Sequence, residues 1–234
     1  MLDKPTNAQN LRNDVENLVL PHNEVVAFDF DELVVGPSSG KGVHLTRRVM
    51  ELMSRPMTDV DKKYLEEVGF CSFDGISHLQ SMAYGKAYEV LVSVCDEQAR
   101  KVPWRDDFDK LLRELSVLFS VIFISSGVKE VCKAKLKEID FLGANIIATE
   151  FGSNSSGILI DNRVVVSEED KGEIVSQLRR NGKKVVAVGH SLGDKSMLDA
   201  SDFPISYRED TKDLSQNKAT NIAELHKMIM NFFI

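Results

Sequence analysis

The sequence predicts an α/β protein, a Rossmann-like parallel sheet with an inserted helical cap, on three observations. Short apolar runs at 25–28, 121–124 and 184–188 read as strands buried on both faces, as in a parallel sheet. Segments of helical periodicity alternate with them, which is the pattern of an α/β fold. Between the first two runs, residues 41–100 carry helical periodicity and no strand-like run, so an all-helical piece interrupts the alternation. The expected division is a core of 1–40 and 101–234 around a cap of 41–100.

At 234 residues and 43% hydrophobic content, the chain can bury one core of ordinary size, with or without a smaller insertion. The formal charge of −7 argues against binding nucleic acid or an anionic membrane mainly by charge, and leaves room for a local phosphate pocket. Cys71, Cys95 and Cys132 are widely spaced and form no Cys-x-x-Cys. They read as free thiols of a reducing cytosol. No apolar stretch approaches the ~20 residues of a membrane span, and residues 1–21 lack a signal-peptide core. A soluble cytoplasmic protein is expected.

Residues 7–20 carry Leu11, Val15, Leu18 and Val19 at helical spacing and are expected as an amphipathic helix ended by Pro21. The first strand then runs into Asp29-Phe30-Asp31. In extended backbone these carboxylates share a face, and open α/β sheets bind ligands at the carboxyl ends of their strands. Such a pair can hold a divalent cation, divide nucleophilic and proton-transfer roles, or merely cap a turn. Gly36-Pro37-Ser38-Ser39-Gly40-Lys41-Gly42 lacks full phosphate-loop spacing and reads as a hinge. In the insertion, helices are expected over 46–55, 58–68 and 73–100, with Thr58 and Asp61 at capping-box spacing. His44 and His78 lack ligand spacing and are expected as polar surface or satisfied core.

After Pro103-Trp104 a helix is expected over 106–118, then the second strand, which runs directly into Ser125-Ser126-Gly127. Backbone N–H groups and hydroxyls between a parallel strand and a helix can hold an anion. Ser126 as the cap of the next helix, 129–139, is the plainer alternative. A third strand is expected over 145–149, followed by a hairpin of 157–160 and 163–166 turning at Asp161-Asn162. Ser167 opens a helix with Lys171 in its first turn, where a cation opposes the helix dipole. A bound anion would explain that placement, and so would solvent exposure. The fourth strand ends in Gly189-His190-Ser191-Leu192-Gly193-Asp194. A fifth is expected over 203–207, and an apolar helix over 222–233 packs back on the sheet.

Together these give an acidic pair after one strand, a hydroxyl after another, a lysine opening a helix and an aspartate after a fourth strand. In that order the chain resembles the haloacid-dehalogenase-like (HAD) hydrolase superfamily, most of all its phosphoserine-phosphatase-like branch. The residues that carry the resemblance are Asp29-Phe30-Asp31, Ile124-Ser125-Ser126-Gly127, Lys171-Gly172-Glu173-Ile174 and Val188-Gly189-His190-Ser191-Leu192-Gly193-Asp194. The insertion also falls where that family places its cap.

The resemblance implies a HAD-like core and a phosphatase acting on a small phosphorylated metabolite through an aspartyl-phosphate. Asp29 would be the nucleophile and Asp31 the proton donor and acceptor, with Ser125 and Lys171 completing the catalytic set. Ser125, Ser126, Gly127 and Lys171 would bind the phosphate. Asp29, Asp31 and Asp194 would hold Mg²⁺, with Mn²⁺ or another divalent metal as alternatives.

One position departs from the family. Its fourth motif usually has two aspartates, the first of them on the metal, and here the first is His190. Imidazole suits Mn²⁺, Zn²⁺ or Fe²⁺ better than Mg²⁺. Asp194 could move inward with water beside it, His190 could ligate a softer metal, or the chain could be an attenuated relative that binds a phosphorylated ligand or regulates. Glu32, Arg47, Arg48 and Arg55 lie close in sequence to the first motif, and their directions are not legible there.

Overall fold

The computed structural model describes residues 6–36, 44–69, 72–141, 144–207 and 214–234. Its strands are β1 (Glu24–Phe28), β2 (Ser120–Val128), β3 (Asn145–Ser153), β4 (Leu159–Val164), β5 (Lys184–Gly189), β6 (Phe203–Tyr207) and β7 (Lys218–Ala219). They form one sheet in the order β4-β3-β2-β1-β5-β6-β7. Every neighbouring pair is parallel except β3 and β4. The fold is α/β, as the alternation of apolar runs and helices predicts.

Alternation along the strands divides the interior in two, because successive side chains of a strand point to opposite faces. Val26, Phe28 and Phe123 belong to one buried cluster, with Phe108, Leu111, Leu112 and Leu225. Val25, Ala27 and Ile122 belong to the other, with Leu11, Ile174 and Val175. The helices that close these faces are α1 (Asn7–Glu16), α2 (Leu45–Met53), α3 (Asp59–Val68), α4 (Phe73–Ser81), α5 (Tyr88–Lys101), α6 (Phe108–Leu118), α7 (Lys129–Lys137), α8 (Glu168–Arg180), α9 (Lys195–Ala200) and α10 (Ile222–Phe233). Leu45 and Val49 of α2, with Leu91 and Cys95 of α5, join the same cluster as Phe28. No helix among the described residues is long and apolar enough to cross a membrane.

Three expected boundaries differ. Helix α1 stops at Glu16 rather than at Leu20. Val19 is instead fixed beside β3, donating its N–H to Asn145 Oδ1 at 3.1 Å and accepting from Asn145 Nδ2 at 3.0 Å. The helix expected over 73–100 is two, α4 and α5, broken at Gly85, whose φ of +86° is a left-handed conformation suited to glycine. There the chain pairs with the start of β4, Gly85 N–H donating to Leu159 O and Leu159 N–H to Lys86 O, both at 2.9 Å.

The β3–β4 hairpin turns at Asn154–Gly157, not at Asp161-Asn162. Asn154 Oδ1 accepts the N–H groups of Ser156 and Ile158 at 3.0 Å, and Gly157 takes a φ of +71°. Asp161 lies inside β4, opposite Gly152. Of the expected hinge only Gly36 is described, and Cys71 also lies outside the described residues. Cys95 and Cys132 are buried free thiols.

Candidate active site

Three adjacent strands deliver the site. Phe28 of β1 stands level with Phe123 of β2 and Val188 of β5, so Asp29, Ser125 and His190 follow at the same edge. Asp29 N–H still donates to Val188 O at 3.0 Å, which holds it in sheet register while the chain beyond it turns away. Glu32, in that turn, has a φ of +61°, a conformation that costs a non-glycine residue about 1–3 kcal/mol. The buried Arg105 side chain donates to the Glu32 carbonyl and holds the turn in this shape.

Lys171 is the centre of the first group. The capping box of Ser167 and Asp170 starts α8 and brings Lys171 under the sheet edge, where Nζ donates to Asp29 Oδ1 and to Asp194 Oδ1, each at 2.7 Å. All three side chains are buried. Burial alone would lower the lysine pKa, but the carboxylates of Asp194 and Asp29 carry it well above the usual range. The oxygen Asp194 Oδ2 accepts the N–H groups of His190 and Ser191 at 2.9 and 3.0 Å, and Ser191 Oγ at 3.2 Å. Gly189 makes this possible, because a Cβ there would lie 2.5 Å from Asp194 Cβ.

His190 closes the group. Its Nδ1 lies 3.4 Å from both Asp29 Oδ2 and Asp194 Oδ2, and its Nε2 lies 3.5 Å from Glu32 Oε2. Burial opposes charge on the ring, yet Asp194, Asp29 and Glu32 push its pKa up to about 12. Contact with His190 in turn holds Glu32 below the usual carboxylate value. Asp29, His190 and Asp194 each offer one ligand atom within 4.8 Å of the others, a group able to hold a metal ion. Asp31 is not in that group.

Asp31 anchors a second group. Its Oδ1 accepts the first N–H groups of α2, from Leu45 at 2.9 Å and Thr46 at 3.2 Å, as an acid at a helix N-terminus should. Its Oδ2 lies 3.3 Å from His44 Nδ1. Burial would raise the carboxyl pKa, but His44 and then Thr46 hold it below the usual value. His44 Nδ1 also receives the Arg47 N–H at 3.3 Å. Burial opposes charge on the His44 ring, yet Asp31 carries its pKa above the usual value.

The Ser125-Ser126-Gly127 stretch is a bulge rather than a helix cap. The β2–β3 register jumps from Ser125↔Ala148 to Val128↔Thr149, leaving Ser126 and Gly127 outside the ladder, as in a bulge. Helix α7 has Val128 at its N-cap and no side-chain cap bond. Ser125 Oγ accepts the Gly127 N–H at 3.0 Å, which leaves its own proton to donate. A Cβ on Gly127 would lie 2.3 Å from Thr46 Oγ1, 2.7 Å from Asp31 Oδ2 and 3.1 Å from Ser125 Oγ. Ser126 is tied instead to β3, its carbonyl accepting Thr149 Oγ1 at 2.9 Å.

The structure therefore joins Asp29, Lys171 and Asp194 directly, and sets Asp31, Ser125 and Gly127 side by side. Sequence reading missed His44 and Thr46, both packed on the Asp31 group, and gave no direction for Glu32. Arg55 turns away to Asp61, donating from Nη1 at 2.7 Å and Nη2 at 2.9 Å. Asp61 also forms the expected capping box with Thr58 and lies 2.9 Å from His78 Nε2.

No family model matches the sequence, and no curated protein matches it. Solved structures do match the fold. A HAD family hydrolase from Salmonella enterica subsp. enterica serovar Typhi aligns at a TM-score of 0.66 with 17% identity, over 92% of this chain and 74% of that one. A substrate-bound phosphoserine phosphatase aligns at 0.61 with 17% identity, over 87% and 97%. Cytosolic 5′-nucleotidase IIIB, bound to cytidine, aligns at 0.58 with 11% identity, over 99% and 93%. This chain shares the fold of the HAD hydrolases, phosphoserine phosphatases among them.

Proposed function

We propose that the chain is a divalent-metal-dependent phosphatase that hydrolyses a small phosphate monoester through an aspartyl-phosphate on Asp29. The observation that carries this reading is the convergence of Asp29, Lys171 and Asp194, from β1, α8 and the loop after β5, into one hydrogen-bonded cluster at the carboxyl edge of a parallel sheet. The Asp31–Ser125–Gly127 group beside it supplies the remaining roles.

An Asp29 oxygen attacks phosphorus and the bond to the ester oxygen breaks. Asp31, entering the cycle protonated, gives its proton to the departing oxygen. Ser125 donates its O–H to a phosphoryl oxygen, and the Lys171 ammonium offsets negative charge on the phosphate and on Asp29. Water then attacks phosphorus, Asp31 takes its proton, and the phosphorus–Asp29 bond breaks to release inorganic phosphate and restore the carboxylate. Asp31 thus gives one proton and regains one, so the cycle balances.

The donor set fits a divalent cation, because Asp29 Oδ2 and His190 Nδ1 are 3.4 Å apart. That spacing suits two ligands at about 2.0–2.2 Å from one ion, and His190 Nδ1 is buried without a hydrogen-bond partner. Asp29 and His190 would hold the ion, with Asp194 behind them. Bound there, it would screen the repulsion between a carboxylate nucleophile and a phosphate anion.

Helices α2 to α5 act as the cap over this edge, and the cytosol is the compartment that suits its free thiols. A second reading, a module that binds a phosphorylated ligand with little or no turnover, draws on His190 standing where a carboxylate is usual. Phosphate release from a panel of monoesters, with Mg²⁺, Mn²⁺ and Zn²⁺ varied, separates the two. Turnover of at least one ester supports the phosphatase. Absence of turnover with every metal, together with a melting temperature raised by orthovanadate, supports the binding module.

A further inference from the structure

We propose that Glu32 and His190 form a carboxylate–imidazole pair that adapts this centre to a nitrogen-preferring divalent ion such as Mn²⁺, Co²⁺ or Zn²⁺ in place of Mg²⁺. The inference rests on the phosphatase reading for the purpose of the ion, and on the residues themselves for its identity.

His190 presents its two ring nitrogens in opposite directions. Nδ1 faces Asp29 Oδ2 and Asp194 Oδ2 at 3.4 Å, and Nε2 faces Glu32 Oε2 at 3.5 Å. Neither nitrogen has a hydrogen-bond partner at close range, and both are shielded from solvent. A histidine that binds metal through one nitrogen characteristically gives its other N–H to a carboxylate, which fixes the tautomer and strengthens the ligand. Glu32 is placed to do that at Nε2. The Nδ1 lone pair then points at the two aspartates, into the space an ion would take.

The backbone of Glu32 supports a role for its side chain. Its left-handed conformation favours glycine or asparagine, not glutamate. Arg105 holds the turn from beneath through the Glu32 carbonyl, so the side chain is delivered to one place. Asp194 cannot readily supply the missing hard ligand: Oδ1 accepts Lys171, and Oδ2 accepts three donors from His190 and Ser191. An imidazole nitrogen with a single free aspartate oxygen is a poor match for Mg²⁺, which binds hard oxygen in near-octahedral array. It is a good match for ions later in the transition series.

The test is calorimetric titration of metal-stripped protein, without substrate, using Mn²⁺ and Mg²⁺ on wild type, Glu32→Gln and His190→Asp. Wild type should bind Mn²⁺ at least tenfold more tightly than Mg²⁺. Glu32→Gln should weaken Mn²⁺ by about 10–100-fold and leave Mg²⁺ nearly unchanged. His190→Asp should reverse the order of the two ions. Circular dichroism of each variant reports whether it folds, and Glu32→Gly, which relieves the backbone, serves if Glu32→Gln does not. The proposal is overturned if wild type binds Mg²⁺ as tightly as Mn²⁺, if neither ion binds, or if loss of the Glu32 carboxylate leaves Mn²⁺ affinity within about twofold. Monoester turnover supported equally by Mg²⁺ would remove this inference while leaving the phosphatase. Tight, His190-dependent Mn²⁺ binding with no turnover of any ester would do the reverse.

Discussion

Lys171 Nζ donates to Asp29 Oδ1 at 2.7 Å across 142 residues of sequence. The same ammonium bonds Asp194, so one buried cation holds two buried carboxylates together at the edge of the sheet. Replacing it with methionine keeps most of the length of the side chain and removes the charge, leaving two acids facing each other. Breaking a buried ion pair in this way costs about 3–5 kcal/mol. Lys171→Met should lower the urea midpoint by a corresponding amount and abolish phosphate release. A midpoint within error of wild type would mean that the three groups do not pair in solution.

Gly127 is a steric requirement of the second group. A methyl there would lie 2.3 Å from Thr46 Oγ1 and 2.7 Å from Asp31 Oδ2. Thr46 Oγ1 accepts the Val128 N–H at 3.2 Å, so moving it breaks the tie between α2 and the end of β2. Gly127→Ala should cost about 1–3 kcal/mol in denaturant melts and depress turnover as well. A variant with unchanged stability and unchanged kcat would show that the bulge has room to yield.

Asp31 separates from Asp29 by leaving-group dependence. General acid catalysis is worth about 10²–10⁴-fold, and most of that is needed when the departing alkoxide is poor. Asp31→Asn should therefore cut kcat for an alkyl phosphate far more than for p-nitrophenyl phosphate, whose phenolate leaves without help. Equal losses on both substrates would place Asp31 outside proton transfer.

Between α2 and α3, Arg55 and then Thr58 hold the Asp61 carboxyl well below its usual range. A carboxylate whose folded pKa is depressed stabilises fully above its unfolded value, about 3.9. It loses that contribution as pH falls through the lower folded value. The melting-temperature gap between wild type and Asp61→Asn should be full near about pH 6 and shrink as the pH is taken below about 4. A gap that does not change with pH would assign Asp61 a purely steric role.

Much of this was readable in the chain, for a physical reason. Apolar runs buried on both faces announce parallel strands, and a ligand-binding residue directly after such a run has little choice of place. Asp29 and Ser125 stood out on that basis, Asp194 only through the motif that follows the fourth run, and Lys171 as a cation against a helix dipole. His44 was not, because it meets Asp31 only through the folding back of α2, and no spacing rule links positions 31 and 44. Glu32 was named without a direction, since its side chain is aimed by a left-handed turn that its residue type does not announce. The break at Gly85 and the turn at Asn154–Gly157 go with pairing between the segment before α5 and the start of β4. Helical periodicity over 73–100 carries no trace of that contact.

On the phosphatase reading, Asp29 becomes phosphorylated in every turnover. The most direct measurement is the mass of acid-quenched protein during turnover of a monoester, followed by peptide mapping. One added phosphoryl group on the peptide containing Asp29, absent in Asp29→Asn along with all turnover, is the predicted result. Continued turnover with Asp29→Asn, or a phosphoryl group carried by another residue, would contradict it.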